Sequence, residues 1–131
     1  MKERLLIIDD DPIFCYILDK LIKKQDAYST ATFNSALDGL DHLGKMTGEQ
    51  EVLIFLDINM PEMNGWQFLE ALKNVSYNIP IRVAIVTSSI DPEDQKRSST
   101  YDMVSTLLTK PVAANELQNI LKSTELSNSS N

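Results

Sequence analysis

Four short segments of this sequence concentrate groups that can handle a metal ion or a phosphate. Asp9, Asp10 and Asp11 form an unbroken acidic run, and Asp57 stands directly after the apolar stretch Val52-Leu53-Ile54-Phe55-Leu56. Thr87-Ser88-Ser89 supplies hydroxyls, and Thr109-Lys110-Pro111 supplies a lysine followed by a proline. Each segment follows an apolar run: Leu5 to Ile8, Val52 to Leu56, Ile81 to Val86 and Val104 to Leu108. If those runs are neighbouring parallel strands, the acids, the hydroxyl and the lysine meet on one rim. Carboxylates from adjacent strands repel one another there, and a hard divalent cation relieves the repulsion. Mg2+ suits such a place, because it takes a few carboxylates and completes its shell with water and phosphate oxygens. A single acid at a strand end is ordinarily a helix cap or a solvated charge, and Asp11, directly before Pro12, is expected to be a cap. That reading does not account for Asp9, Asp10, Asp57, Thr87 and Lys110 together.

The elements that must bring these segments together can be read from periodicity. After the strand Leu5 to Ile8, Asp11-Pro12 marks a helix start, and Ile13, Phe14, Ile17, Leu18, Leu21 and Ile22 follow at helical spacing. A more polar strand runs near Ala27 to Phe33. Ala36, Leu37, Leu40 and Leu43 give a second helix, with Gly44 and Gly48 around its end. The strand Val52 to Leu56 leads through Pro61, Asn64 and Gly65 to a helix marked by Trp66, Leu69, Leu72 and Val75. Ile81 to Val86 is a fourth strand, Asp91-Pro92-Glu93-Asp94 a fourth helix start, and Val104 to Leu108 a fifth strand. Ala113, Leu117, Ile120 and Leu121 make the last helix. Strands alternating with helices imply an α/β fold, a doubly wound parallel sheet with helices on both faces. The first, third and fourth strands are the most continuously apolar and belong in the middle. That arrangement is the flavodoxin-like (βα)5 order 2-1-3-4-5, in which ligands bind beyond the carboxyl ends of the strands.

Bulk properties narrow the function. The 131 residues suit one domain, read as 1–126 with a flexible polar tail at 127–131. The formal net charge of -7 argues against a nucleic-acid partner and against docking on an anionic membrane. No apolar run approaches the ~20 residues of a membrane helix. The apolar run near the N-terminus is too short for a signal-peptide core, so the expected location is the cytoplasm. The single cysteine, Cys15, fits a reducing compartment and is expected to be buried and inert.

The chain resembles the receiver domain of two-component response regulators over essentially its whole length. The segments that carry the resemblance are Leu5 to Pro12, Leu56-Asp57-Ile58-Asn59-Met60-Pro61, Asn64-Gly65, Ala84 to Ser88 and Thr109-Lys110-Pro111. The resemblance implies a phosphorylation-activated signalling switch of the stand-alone type, not an enzyme beyond assisting its own phosphorylation and dephosphorylation. Asp57 is then the phosphoacceptor, receiving a phosphoryl group from a histidine kinase or a histidine phosphotransfer protein. Asp10, Asp57 and the backbone carbonyl of Asn59 ligate Mg2+, with Asp9 acting through water. Thr87 donates to a phosphoryl oxygen, and Lys110 pairs with the carboxylate at rest and with the phosphoryl group afterwards. Asn59 and Ser89 lie where the family tunes hydrolysis, and the Lys110-Pro111 peptide is expected to be cis. With no output domain following Leu121, output is expected through an unidentified downstream protein.

Three positions depart from the family pattern. Leu107 stands where a switch aromatic is usual, Met103-Val104 replaces a common Gly-Ala step, and Val112 stands where Phe is common. The stretch Asp91 to Thr100 has no large apolar residue after its cap, which predicts a weakly packed, mobile helix. His42 is expected at the surface, Trp66 and Phe68 are expected to pack their helix, and Ser98-Ser99-Thr100 is expected to be solvated. An alternative reading takes Asp9-Asp10-Asp11 as the Asp-x-Asp of a haloacid-dehalogenase-like phosphatase. It requires a further pair of acids after the lysine, where the chain offers Glu116 and Glu125. A second alternative is a receiver-like docking module that no longer needs phosphate, for which Leu107 is the best support.

Overall fold

A computed structural model describes residues 3–24, 28–74, 79–88 and 90–129 of the chain. Its elements run β1 (Glu3–Ile8), α1 (Pro12–Lys23), β2 (Tyr28–Phe33), α2 (Ala36–Lys45), β3 (Val52–Asp57), α3 (Gly65–Asn74), β4 (Ile81–Thr87), α4 (Pro92–Ser98), β5 (Val104–Thr109) and α5 (Ala114–Ser129). The strands form one parallel sheet in the order β2-β1-β3-β4-β5. The expected topology is therefore observed. Ala27, Val75 and Ser89 lie outside the described residues. The backbone of α5 continues to Ser129, into the stretch read as a tail.

The continuous apolar runs make sense because both faces of the sheet are covered. In β3 the side chains alternate between two cores although every residue of the strand is buried. Val52, Ile54 and Leu56 pack with Phe68, Leu69 and Leu72 of α3, while Leu53 and Phe55 pack with Cys15, Leu18 and Ile22 of α1 and with Leu117 and Leu121 of α5. Phe55 and Phe68 are fully buried, and each contributes roughly 1.5–3 kcal/mol. The edge strands β2 and β5 are only partly buried, as their Ser and Thr content predicts. A register irregularity interrupts the β4–β5 pairing at Val83/Ala84.

The helices start where their sequences place caps. Asp11 accepts from the Ile13 N–H at 3.0 Å with Pro12 following, and Asp91 accepts from the Asp94 N–H at 2.9 Å. Asn64 and Gln67 exchange reciprocal bonds of 2.9 Å across the first turn of α3. Trp66 and Phe68 are core residues. His42 is half-buried, its ring 4.9 Å from that of Phe33, so it is less superficial than expected. Helix α4 buries only Ser98. Among the described residues, no helix is long and apolar enough to cross a membrane.

Candidate functional site

The order β2-β1-β3-β4-β5 puts β1 and β3 side by side, so the acids at their carboxyl ends share one rim. Asp9 and Asp57 are both buried, 1% and 4% exposed, whereas Asp10 is open to solvent. One carboxylate oxygen from each of Asp9, Asp10 and Asp57 lies within 4.8 Å of the other two. Lys110, carried in by β5 across the rim, reaches both buried acids. Its Nζ stands 2.7 Å from Asp9 Oδ2 and 3.7 Å from Asp57 Oδ2. The resemblance paired this lysine with the acceptor carboxylate, whereas the shorter bridge here is to Asp9. The Lys110-Pro111 peptide is cis, as expected. The Lys110 N–H donates to the Thr87 carbonyl at 2.8 Å, joining the ends of β4 and β5.

Local hydrogen bonds fix the carboxylates. Asp57 Oδ1 accepts the Asn59 main-chain N–H at 3.1 Å, and Asn59 Nδ2 donates to Thr87 Oγ1 at 3.4 Å. Asp9 Oδ1 accepts the Asp11 N–H at 2.9 Å. Asn34, which the sequence did not single out, donates its carboxamide to the Asp9 carbonyl at 2.9 Å, and the Cys15 thiol donates to the same oxygen at 3.4 Å. A lone Asn in a strand-to-helix turn offers no periodic or motif signal, so only the fold reveals this role. Gly65 is required by proximity. A Cβ there would lie 2.6 Å from Ile58 Cα and 2.7 Å from the Asp57 carbonyl oxygen. Helix α3 therefore starts in direct contact with the backbone of Asp57.

The electrostatics are unbalanced. Among the described residues, the three clustered carboxylates face one ammonium, that of Lys110. Burial pushes the Asp57 carboxyl up to about 6, and the charges of Asp9 and Asp10 add to the rise, against the Asn59 N–H and Lys110. Burial would lower the Lys110 pKa, but the hydrogen bond and charge of Asp9, helped by Asp57 and Asp11, raise it above the usual lysine range. Burial first, and then the neighbouring Asp9 and Asp11, push the Cys15 thiol up to about 11. An excess of buried carboxylate with oxygen donors on one side and open solvent at Asp10 is a donor set that fits a hard divalent cation such as Mg2+. Glu116, on which the phosphatase alternative depends, accepts from the Ala113 N–H at 3.0 Å at the start of α5. The side chain of Glu125 lies outside the described residues.

Beside the acids, a cavity of about 370 Å3 opens between Ile13, Phe14 and Ile17 of α1 and Ser88, Lys110 and Pro111. Ile13, Tyr16 and Ile17 are 71%, 63% and 52% exposed, an unusual density of large apolar groups at a polar rim. Lys110 Nζ also lies 4.5 Å from the centroid of the Phe14 ring.

Comparison with known proteins agrees with this fold. The model of the response regulator receiver domain matches residues 5–122. The chain is 31% identical over 118 residues to a two-component response regulator of Oryza sativa subsp. japonica, covering 89% of this chain and 19% of that protein. It is 29% identical over 118 residues to an uncharacterized response regulatory protein of Staphylococcus epidermidis, covering 90% of this chain and 45% of the other. The chain thus spans less than half the length of either curated relative. The crystal structure of a two-component response regulator from Cytophaga hutchinsonii superposes with a TM-score of 0.80 at 28% identity, covering 95% of this chain and 98% of that one.

Proposed function

The chain belongs to the response regulator receiver domain family, and from that premise we propose that Asp57 accepts a phosphoryl group and that the protein signals through the contacts this changes. The observation that carries the proposal is the pair of buried carboxylates, Asp9 and Asp57, both within reach of Lys110 at the ends of neighbouring central strands.

An Asp57 carboxylate oxygen forms a bond to phosphorus as the phosphorus–nitrogen bond of a donor phosphohistidine breaks. The electron pair leaves on the imidazole nitrogen, which is then protonated. Attack requires the carboxylate form, which predominates at neutral pH even with the Asp57 carboxyl raised to about 6. Bound Mg2+ supplies positive charge that favours this ionised form and neutralises the phosphoryl oxygens. Asp10, Asp57 and the Asn59 carbonyl are the groups to hold it, with Asp9 as an outer partner. Lys110 places its ammonium between Asp9 and Asp57, where a phosphoryl oxygen on Asp57 falls within its reach. Thr87, whose hydroxyl lies against the Asn59 carboxamide, donates to a second oxygen. Positioned charge, rather than covalent chemistry by several groups, is what phosphoryl transfer demands.

The donor is a histidine kinase or a histidine phosphotransfer protein. The exposed apolar groups of α1 beside Lys110 support docking of such a partner over the acids. The acidic balance of the chain supports a protein rather than a nucleic-acid target. Incubation with Mg2+ and acetyl phosphate or a phosphoramidate should add one phosphoryl group, and Asp57→Asn should abolish it. Undiminished labelling of that variant overturns the assignment.

A further inference from the structure

Helix α4 has almost no core of its own. It is seven residues long, and Ser98 is its one buried residue. Its attachment is instead made by side chains near its C-terminal end. The Arg97 guanidinium lies over the Trp66 ring of α3, 4.7 Å from the centroid. Tyr101 stands three residues beyond Ser98, and its N–H donates to the Ser98 carbonyl at 3.2 Å, which ties it to the helix end. The Tyr101 ring stacks on Trp66 at 6.3 Å and 23°, and its hydroxyl donates to Glu70 of α3 at 2.6 Å.

Both ends of α4 therefore lead back to the acceptor. Trp66 is the residue after Gly65, which is packed against the Asp57 carbonyl and donates its N–H to Ile58 at 3.1 Å. At the other end, Asp91 caps α4 four positions beyond Thr87, the hydroxyl that meets Asn59. Leu107 is half-buried in the same core as Trp66 and Tyr101 and has no ring with which to respond. Resting on the reading of Asp57 as phosphoacceptor, we infer that Arg97 and Tyr101 form a clamp on Trp66 and Glu70 that holds α4 in the resting position and opposes phosphorylation. Movement of Thr87 toward a phosphoryl group draws the start of α4 with it. The far end of that short helix yields only as the clamp loosens. A clamp that favours the resting arrangement must, by linkage, weaken binding of anything that favours the other.

The test uses beryllofluoride with Mg2+ as a stable phosphoryl mimic, titrated against wild type, Arg97→Ala, Tyr101→Phe and the control Lys96→Ala. Binding is followed by the fluorescence of Trp66, the only tryptophan, and by amide hydrogen exchange. Without the mimic, Arg97→Ala should exchange faster than wild type across 91–99. An exposed cation–π contact corresponds to about a two- to fivefold change in affinity, so Arg97→Ala should bind the mimic that much more tightly. Tyr101→Phe keeps the ring and loses the bond to Glu70, and it should shift in the same direction. Lys96→Ala should match wild type. Equal or weaker binding by both Arg97→Ala and Tyr101→Phe, or unchanged exchange in α4, overturns the clamp alone. A wild type that binds no beryllofluoride overturns the Asp57 reading itself and the clamp's coupling with it.

Discussion

Replacing Asp57 by Asn should stabilise the metal-free protein. The side chain is 4% exposed, and burial, with Asp9 and Asp10 nearby, raises its carboxyl from 3.8 to about 6. A rise of that size corresponds to about 3 kcal/mol of folding stability forgone when the group is ionised. The sign follows from an acid whose folded pKa exceeds its unfolded one. The cost is fully present above about 6, shrinks as pH falls, and is gone below 3.8. Asn is isosteric, and its amide oxygen can still accept the Asn59 N–H, which lies 3.1 Å from Oδ1. Lys110 loses a contact of 3.7 Å but keeps its bridge of 2.7 Å to Asp9. Allowing for that loss, the expected gain at pH 8 is about 1–3 kcal/mol, at about 3–6 °C in Tm for each kcal/mol. Urea unfolding of both proteins in EDTA, from pH 8 to pH 4, measures the difference directly and cancels the titrating groups that do not interact with Asp57. The gain should fade toward pH 4, and saturating Mg2+ should narrow it at pH 8 by favouring the ionised wild type. Equal stabilities at pH 8, or a gain that persists undiminished at pH 4, would refute the reasoning.

Three further expectations concern the same rim. Gly65→Ala places a methyl group 2.6–2.7 Å from the backbone of Ile58 and Asp57, and should cost about 1–3 kcal/mol in denaturant unfolding while slowing phosphorylation by acetyl phosphate. Asp10→Ala removes the one solvent-facing carboxylate of the cluster, and should abolish both the Mg2+-dependent change in Trp66 fluorescence and labelling of Asp57; an unchanged titration argues against the metal site. Cys15, buried and with its thiol at about 11, should resist alkylation at pH 8 in the native protein and react on unfolding, and rapid native-state labelling would contradict its burial.

The sequence by itself determined the topology and that Asp9, Asp10, Asp57 and Lys110 meet on one rim. Continuous apolar runs such as Leu53 to Leu56 need helices on both faces, and acids, a threonine and a lysine at the ends of four such runs can converge in only one corner of a parallel sheet. Caps at Asp11 and Asp91 were equally legible, because a cap is a local matter of one side chain and the next turn. Distances and partners across elements were not. Tertiary packing alone decided that Lys110 sits nearer Asp9 than Asp57, that Asn34 holds the Asp9 carbonyl, and that burial lifts the acidity range of Asp57. The same holds for α4. Its composition announced a helix without a core, but its grip on α3 depends on Arg97 meeting Trp66 and Tyr101 meeting Glu70 across 31 positions of sequence. Such pairings carry no periodicity, because they are set by where two helices come to lie on the sheet and not by the spacing of residues within either one.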